Sequence, residues 1–377
     1  MSESINYFAQ LILADALFEH CKSECLSEEG LREIIERFGL SPNINPHVCD
    51  YKFFIQACIN ERVTEGIIQC LLEYFSGAAS ATDDNGWSPI HCACRNKSVT
   101  LEIVQLLIDA APDSVRSVDN EGRKPLHYLC KISKAHEMTA IEILKLLVEK
   151  HPGAIKHADN DGFLPIHIAC LSSPPGFCSI LVEAYPESER IGAMHGMLPF
   201  HCACAGGTLA TVQYLYKLYP DAINHTTRGG YPIHTAIFGV IKKTKSFSPS
   251  DSVDIVKFLL ECDPNVTLQK VDGVPLLYFT CQRDYNDSNI HAALEVIQAI
   301  YDAHPEAIEE NCISSNIHDY QPPARAFINR QLAYSRQAKD HRLMTAPDDN
   351  GQLPLHKALH YNVTLGSIKL LVKGNPS

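Results

Sequence analysis

Apolar residues along this chain fall into two alternating patterns. In Leu101-Glu102-Ile103-Val104-Gln105-Leu106-Leu107-Ile108 they recur at three- and four-residue spacing beside one polar stripe, the period of an amphipathic helix. Ile141–Val148, Val212–Leu218, Val253–Leu260 and Leu294–Tyr301 repeat that pattern. A shorter, almost wholly apolar run precedes each, as in Pro165-Ile166-His167-Ile168-Ala169-Cys170. Such a run predicts about two turns of helix with one inward face. The chain therefore predicts a series of short-helix, long-helix pairs.

Two sets of markers punctuate the series. The phrase Gly-x-x-Pro-[Ile/Leu/Phe]-His occurs at Gly86–His91, Gly122–His127, Gly162–His167, Gly196–His201, Gly229–His234 and Gly351–His356. Its first five prolines are 36, 40, 34 and 33 residues apart. Glycine in Asn85-Gly86, Glu121-Gly122 and Asp161-Gly162 suits a tight turn at positive φ. Proline three residues on suits the first position of a helix, where its missing N–H costs nothing. The second set is Pro112, Pro152, Pro186, Pro220, Pro264 and Pro305, each expected to stop a long helix. A period near 33 residues predicts units that bury their cores only against their neighbours.

Turn, short helix, long helix and proline stop resemble the ankyrin repeat, with its Thr-Pro-Leu-His phrase. Ser88, Lys124, Leu164, Leu198, Tyr231 and Leu353 stand in the threonine place, so the hydroxyl–histidine bond is expected only between Ser88 and His91. Leu-Pro-Leu-His, with helix ends such as Ala-Tyr-Pro-Glu (184–187), is similar to an ankyrin subfamily of diatom-type algae. The resemblance covers about residues 47–377 and implies an all-α solenoid of stacked helix-turn-helix units with short β-hairpin or turn fingers. It also implies that His91, His127, His167, His201, His234 and His356 are structural.

Residues 1–46 lack the phrase and are expected to form an acidic N-terminal helical cap, with helices over Ile5–Cys21 and Glu28–Phe38 and a joint at Ser41–Pro46. Residues 47–311 hold about seven repeats, of which 47–82 is degenerate. Lys242–Ser252 reads as a lengthened loop. At Gly273-Val274-Pro275-Leu276-Leu277 the turn reads as one residue short, with leucine replacing histidine. Residues 312–346 form a basic helical insertion or decayed repeat. A helix is expected over Ala324–Ala338, with Phe327, Leu332 and Tyr334 near one side. Residues 347–377 form a last repeat that reads as truncated, since no closing polar repeat follows Pro376.

The formal charge of −12 disfavours generic nucleic-acid binding, which needs a basic footprint. Fifteen cysteines lie within helical patterns and read as small core residues of a protein in a reducing compartment. The N-terminus has no signal-peptide pattern, and no apolar run reaches the ~18 residues needed to span a bilayer. The cytoplasm is expected, with the nucleus as the alternative. His-Cys-Ala-Cys at His91–Cys94 and His201–Cys204 offers two metal-ligand types on one helix face. No closed four-ligand spacing accompanies it, so no metal is expected. No nucleotide loop, nucleophile elbow or paired-carboxylate site is recognisable, and neither enzyme activity nor a cofactor is expected.

The residues just after the turn glycines are Trp87, Arg123, Phe163 and Met197, with Tyr231 close by. These types are enriched in interface hot spots, and in an ankyrin-like array they would line the concave fingertip and short-helix face. The competing reading is that they lie against the neighbouring turn. Arg325, Arg330, Arg336, Lys339 and Arg342 form a secondary basic patch. The function read from these features is a noncatalytic scaffold or adaptor, a monomer, binding a protein partner. The alternative is a substrate-targeting subunit of an enzyme complex such as a ubiquitin ligase or phosphatase.

Overall fold

The computed structural model describes residues 7–40, 51–131, 137–241, 249–283, 285–309, 313, 316–339 and 368. The chain divides into two compact units, Met1–Met194 and His195–Ser377. Each is a stack of helices arranged in pairs.

In the first unit the pairs are α1 (Tyr7–Lys22) with α2 (Glu28–Arg37), α3 (Lys52–Ile59) with α4 (Glu65–Tyr74), α5 (Pro89–Arg95) with α6 (Leu101–Ala110), α7 (Pro125–Leu129) with α8 (Glu137–Lys150), and α9 (Pro165–Ser172) with α10 (Pro175–Ala184). First members pack in succession, α1 on α3, α3 on α5, α5 on α7 and α7 on α9, and second members likewise from α2 to α8. Helix α6 shows why. Thr100 accepts the Ile103 N–H as its cap, and Ile103, Val104, Leu107 and Ile108 are buried on one face. Each such side chain contributes roughly 1.5–3 kcal/mol over its exposed state. Ser27 and Thr64 cap α2 and α4 in the same way. Proline opens α5, α7, α9 and α10 at the first turn.

The second unit contains α11 (Pro199–Gly206), α12 (Leu209–Leu218), α13 (Pro232–Ile241), α14 (Pro249–Cys262), α15 (Leu276–Cys281), α16 (Ile290–Ala303) and α17 (Pro322–Lys339). Helix α11 packs on α13, α12 on α14, α14 on α16 and α16 on α17. A two-residue antiparallel hairpin, β1 (Lys270–Val271) and β2 (Val274–Pro275), leads into α15.

Four features depart from the sequence reading. The second set of prolines does more than stop helices. Helices α6, α8, α12, α14 and α16 end two residues earlier, and Pro112, Pro152, Pro220, Pro264 and Pro305 each open a five-residue 3-10 turn. These turns bury residues two and three places after proline, such as Ala154 and Ile155, or Ala222 and Ile223. The turn before α15 is not short. Gly273 has φ 77° and Pro275 is the N-cap, so glycine-to-helix spacing matches Gly86, Ser88 and α5. Proline has moved by one place, and Tyr278 rather than a leucine stands where the other repeats have histidine. Helix α14 already begins at Pro249, so the expected loop at Lys242–Ser252 is shorter, and its residues 242–248 lie outside the described ones. In α17 the buried stripe is Ala324, Phe327, Ile328 and Gln331, with Leu332 only half-buried. The i, i+3, i+4, i+7 spacing chose a different face from the one expected, and the Tyr334 side chain lies outside the described residues. The joint at Ser41–Pro46 and the repeat at 347–377 lie outside them too, Ile368 apart.

Candidate protein-binding face

The turns, or fingers, of the first unit share one construction. An aspartate three residues before the glycine accepts two backbone N–H bonds through one carboxylate oxygen. Asp83 takes Asn85 and Trp87 at 2.9 and 2.8 Å, Asp119 takes Glu121 and Arg123 at 2.9 and 2.8 Å, and Asp159 takes Asp161 and Phe163 at 3.1 and 2.8 Å. The glycine closes the turn at φ 78°, 75° and 80°. A Cβ on Gly122 would come within 2.4 Å of Asn160 Oδ1. Each finger is bonded to the next: Asn120 N–H donates to Asn85 O at 3.0 Å, Asn160 N–H to Glu121 O at 2.9 Å and Met194 N–H to Asp161 O at 2.8 Å. The aspartate stands three residues before Gly86, Gly122 and Gly162 in the sequence and again at Asp348–Gly351, outside the described residues, whereas Ala193 and Thr226 take its place before Gly196 and Gly229.

The phrase histidines fasten the repeats. His91, His127, His167 and His201 are fully buried. Backbone N–H groups of Ser88, Lys124, Leu164 and Leu198 donate to their Nδ1 atoms at 3.1–3.3 Å. The proton therefore sits on Nε2. It is donated to Arg123 O, Phe163 O, Ile191 O and His225 O respectively, at 3.0–3.2 Å. Ser88 Oγ adds the hydroxyl bond to His91 at 2.7 Å, the one repeat where a hydroxyl was expected to do so. Burial lowers the His91 pKa and takes that of His127 down to about 4. With both ring nitrogens engaged, these histidines have no lone pair to give a metal, and Cys92, Cys94, Cys202 and Cys204 are buried beside them. Burial pushes the Cys92 thiol up to about 12. Among the described residues no group of three potential metal ligands comes together.

The five fingertip candidates are all half-buried. Trp87 stands edge-to-face against Tyr128 of the next short helix, with ring centroids 4.9 Å apart, and the Arg95 guanidinium lies 5.1 Å from its ring centre. Arg123 pairs with Asp159, Nε to Oδ2 at 3.0 Å, and also with Glu121, so it ties one finger to the next. Phe163 meets its own repeat's His167 edge-on at 5.7 Å. The reading that these side chains lie against a neighbour thus describes Arg123 fully and Trp87 in part. In the second unit Tyr231 stacks obliquely on His234, whose ring also meets Phe279 at 4.9 Å. His234 is fully buried, and neither of its nitrogens has a hydrogen-bond partner among the described residues. Burial lowers its pKa to about 4. Met197 flanks the α11 N-cap.

Two cation–aromatic contacts were not read from the sequence, one within a single repeat and one that also reaches a ring of the preceding repeat. Lys131 Nζ lies 5.3 Å from the Tyr128 ring centre. Arg283 lies 3.9 and 4.5 Å from the ring centres of Phe279 and Phe238. In the basic stretch, Arg325 donates Nη2 to His318 O and Tyr320 O at 2.6 and 2.8 Å. It is therefore a brace for the chain entering α17 and not part of a free patch. Arg330 is exposed on α17. The side chains of Arg336 and Lys339 and the whole of Arg342 lie outside the described residues, as does His356.

No described helix is long and apolar enough to cross a membrane. No curated protein matches this sequence. A family model described as ankyrin repeats (3 copies) matches residues 54–140 and again residues 99–191, and the paired helices, histidine bolts and bonded fingers of that stretch are the ankyrin-repeat fold.

Proposed function

We propose that this chain is a noncatalytic protein-recognition scaffold, and that its first unit takes a partner on the face formed by its fingers and short helices. Ankyrin repeats generally mediate protein–protein interactions, and fold alone does not choose the partner. The observation that carries the reading is Trp87. It is the one tryptophan of the chain, held by Tyr128 and Arg95 in a fixed orientation while part of its surface stays open. A rigid, partly exposed tryptophan beside an arginine is the composition of an interface hot spot. Phe163 extends the row one repeat further. Met197 and Tyr231 are candidates of the second unit in their own right. The protein is proposed to act as a monomer in the cytoplasm or nucleus.

Affinity capture from native lysate with the wild-type chain and the Trp87→Ala/Phe163→Ala variant, read by mass spectrometry, tests this. Both proteins should give the same helical circular dichroism, and a defined partner should be lost in the variant. Equal capture by both would place recognition elsewhere.

A further inference from the structure

On the same face of the first unit, four side chains from two repeats form a continuous ladder. Arg95 lies 5.1 Å from the Trp87 ring centre, Trp87 is 4.9 Å from Tyr128, and Lys131 Nζ is 5.3 Å from Tyr128. Two cations thus flank two aromatic rings. Beside Trp87 opens a groove of about 240 Å³, lined by Ile59, Glu61, Cys92, Arg95, Asn96 and Lys97 as well. Ile59 is 44 % exposed there, an apolar side chain facing solvent at the groove edge. Cys92 is buried at its floor.

The charge arrangement is unusual for this chain. Its formal net charge is −12, yet Arg95 and Lys97 are exposed in the groove lining and Lys131 is exposed at the far end of the ladder. None of the three has a carboxylate within ion-pair distance among the described residues, whereas Lys52, Arg116, Arg123 and Arg190 all do. Burial of its stem is the main cause lowering the Lys131 pKa; Arg123 and Arg95 add to it, and Glu121 and Asp119 oppose it. Cations thus stand over an apolar floor of Ile59, Trp87 and Cys92. Such an arrangement is relieved when a partner brings carboxylates to the rim and an apolar side chain to the floor. Glu61 is the single acidic residue in the groove lining.

We propose that this ladder and groove dock an acidic peptide segment of the partner protein, its carboxylates meeting Arg95 and Lys131 and one apolar side chain entering beside Trp87. The proposal rests on the protein-recognition reading above and names the chemistry of the partner. Three cations along this ladder and groove are too few to track a phosphate backbone, which is recognised through a longer basic stripe. The aromatic rings and the exposed Ile59 ask for an apolar residue that a nucleic acid lacks.

Fluorescence anisotropy with the full chain tests it. The probes are three dye-labelled twelve-residue peptides of alternating charged and apolar residues, differing only in carrying Glu, Gln or Lys at the charged places. The Glu peptide should bind at least tenfold more tightly than the Gln peptide, and raising salt should weaken it. Arg95→Glu/Lys131→Glu replaces exposed side chains, and circular dichroism should show the fold unchanged. That variant should lose the Glu peptide by at least tenfold and gain the Lys peptide. Equal binding of Glu and Gln peptides, equal binding by the variant, or tighter binding of a twelve-nucleotide single strand would each overturn the proposal. The two readings separate in lysate capture. A partner kept by the charge-reversed chain but lost by Trp87→Ala leaves recognition standing and removes the acidic partner. A partner kept by the Trp87→Ala/Phe163→Ala chain removes the face itself.

Discussion

Glu189 is the residue whose replacement should tell most about the energetics of the array. It occupies the third place after Pro186, where the corresponding 3-10 turns of other repeats carry Val115, Ile155, Ile223, Thr267 and Ile308, all buried and none charged. Glu189 is itself only 7 % exposed. One carboxylate oxygen lies 3.5 Å from Arg190 Nε, on a side chain that is half in solvent, and Oε2 has no hydrogen-bond partner among the described residues. An unsatisfied buried acceptor costs about 1–3 kcal/mol. Filling the site with an aliphatic side chain restores burial of similar size, and losing a half-exposed ion pair costs at most about 1 kcal/mol. Glu189→Ile should therefore stabilise the first unit by about 2 kcal/mol, a factor of about 30 in the folded-to-unfolded ratio. Glu189→Gln keeps a polar group in the same place and should gain little. Urea unfolding followed by circular dichroism, with hydrogen exchange of the Ser188–Ile191 amides, measures both. An isoleucine variant no more stable than wild type, or a glutamine variant equal to it, would refute the assignment of this carboxylate as a misfit.

Three further outcomes are expected. Asp119→Ala removes the acceptor of two backbone N–H groups and of the Tyr128 hydroxyl; it should cost about 2–4 kcal/mol in urea unfolding and loosen the Trp87–Tyr128 contact, seen as a shift in tryptophan emission. Folding lowers the His91, His127 and His234 pKa values, the last two to about 4, so between the ordinary value near 6.5 and about 4 the unfolded chain binds more protons. Stability should be full above pH ~6.5 and fall as the pH drops towards ~4, and His127→Gln should flatten that slope in unfolding midpoints taken from pH 7 to 5. A maleimide reagent should modify exposed Cys25 rapidly in the native protein while Cys92, whose thiol burial holds at about 12, stays protected; in Trp87→Ala, Cys92 should react faster, as read by peptide mass spectrometry.

Much of the fold was legible because repeat proteins write the same local physics several times. Glycine at positive φ, proline at the first helical position and an amphipathic second helix each have a local cause, and they recur in register. What was not legible depended on contacts across repeats. The Pro112-type residues read as stops because proline's effect on the preceding helix is local, whereas the 3-10 turn after them is held by burial of Val115 or Ile155 against neighbours. In α17 the sequence reading grouped Leu332 with Phe327, whereas packing buries Ala324, Phe327, Ile328 and Gln331 and leaves Leu332 half-buried. At the candidate face, the sequence picked Trp87 by its place after glycine. It passed over Arg95, which lies over Trp87 within one repeat, and Tyr128 and Lys131, which join it only because the next short helix stacks where it does. Arg123, picked for its place at the fingertip, and Arg325, picked as part of the basic stretch, are engaged by Asp159 and by backbone carbonyls, partners the sequence reading did not name.

The bolts between repeats of the first unit reach only one unit along the chain. His91 meets Arg123, His127 meets Phe163 and Asn160 meets Asn120, always within about one repeat length. No bond of this set waits for a distant segment to return, so the loop-closure entropy of forming it is the same at every step. Folding of such an array can begin at whichever helix pair forms first and spread to either side. Lengthening it by whole repeats would add stability without slowing the search for the native state.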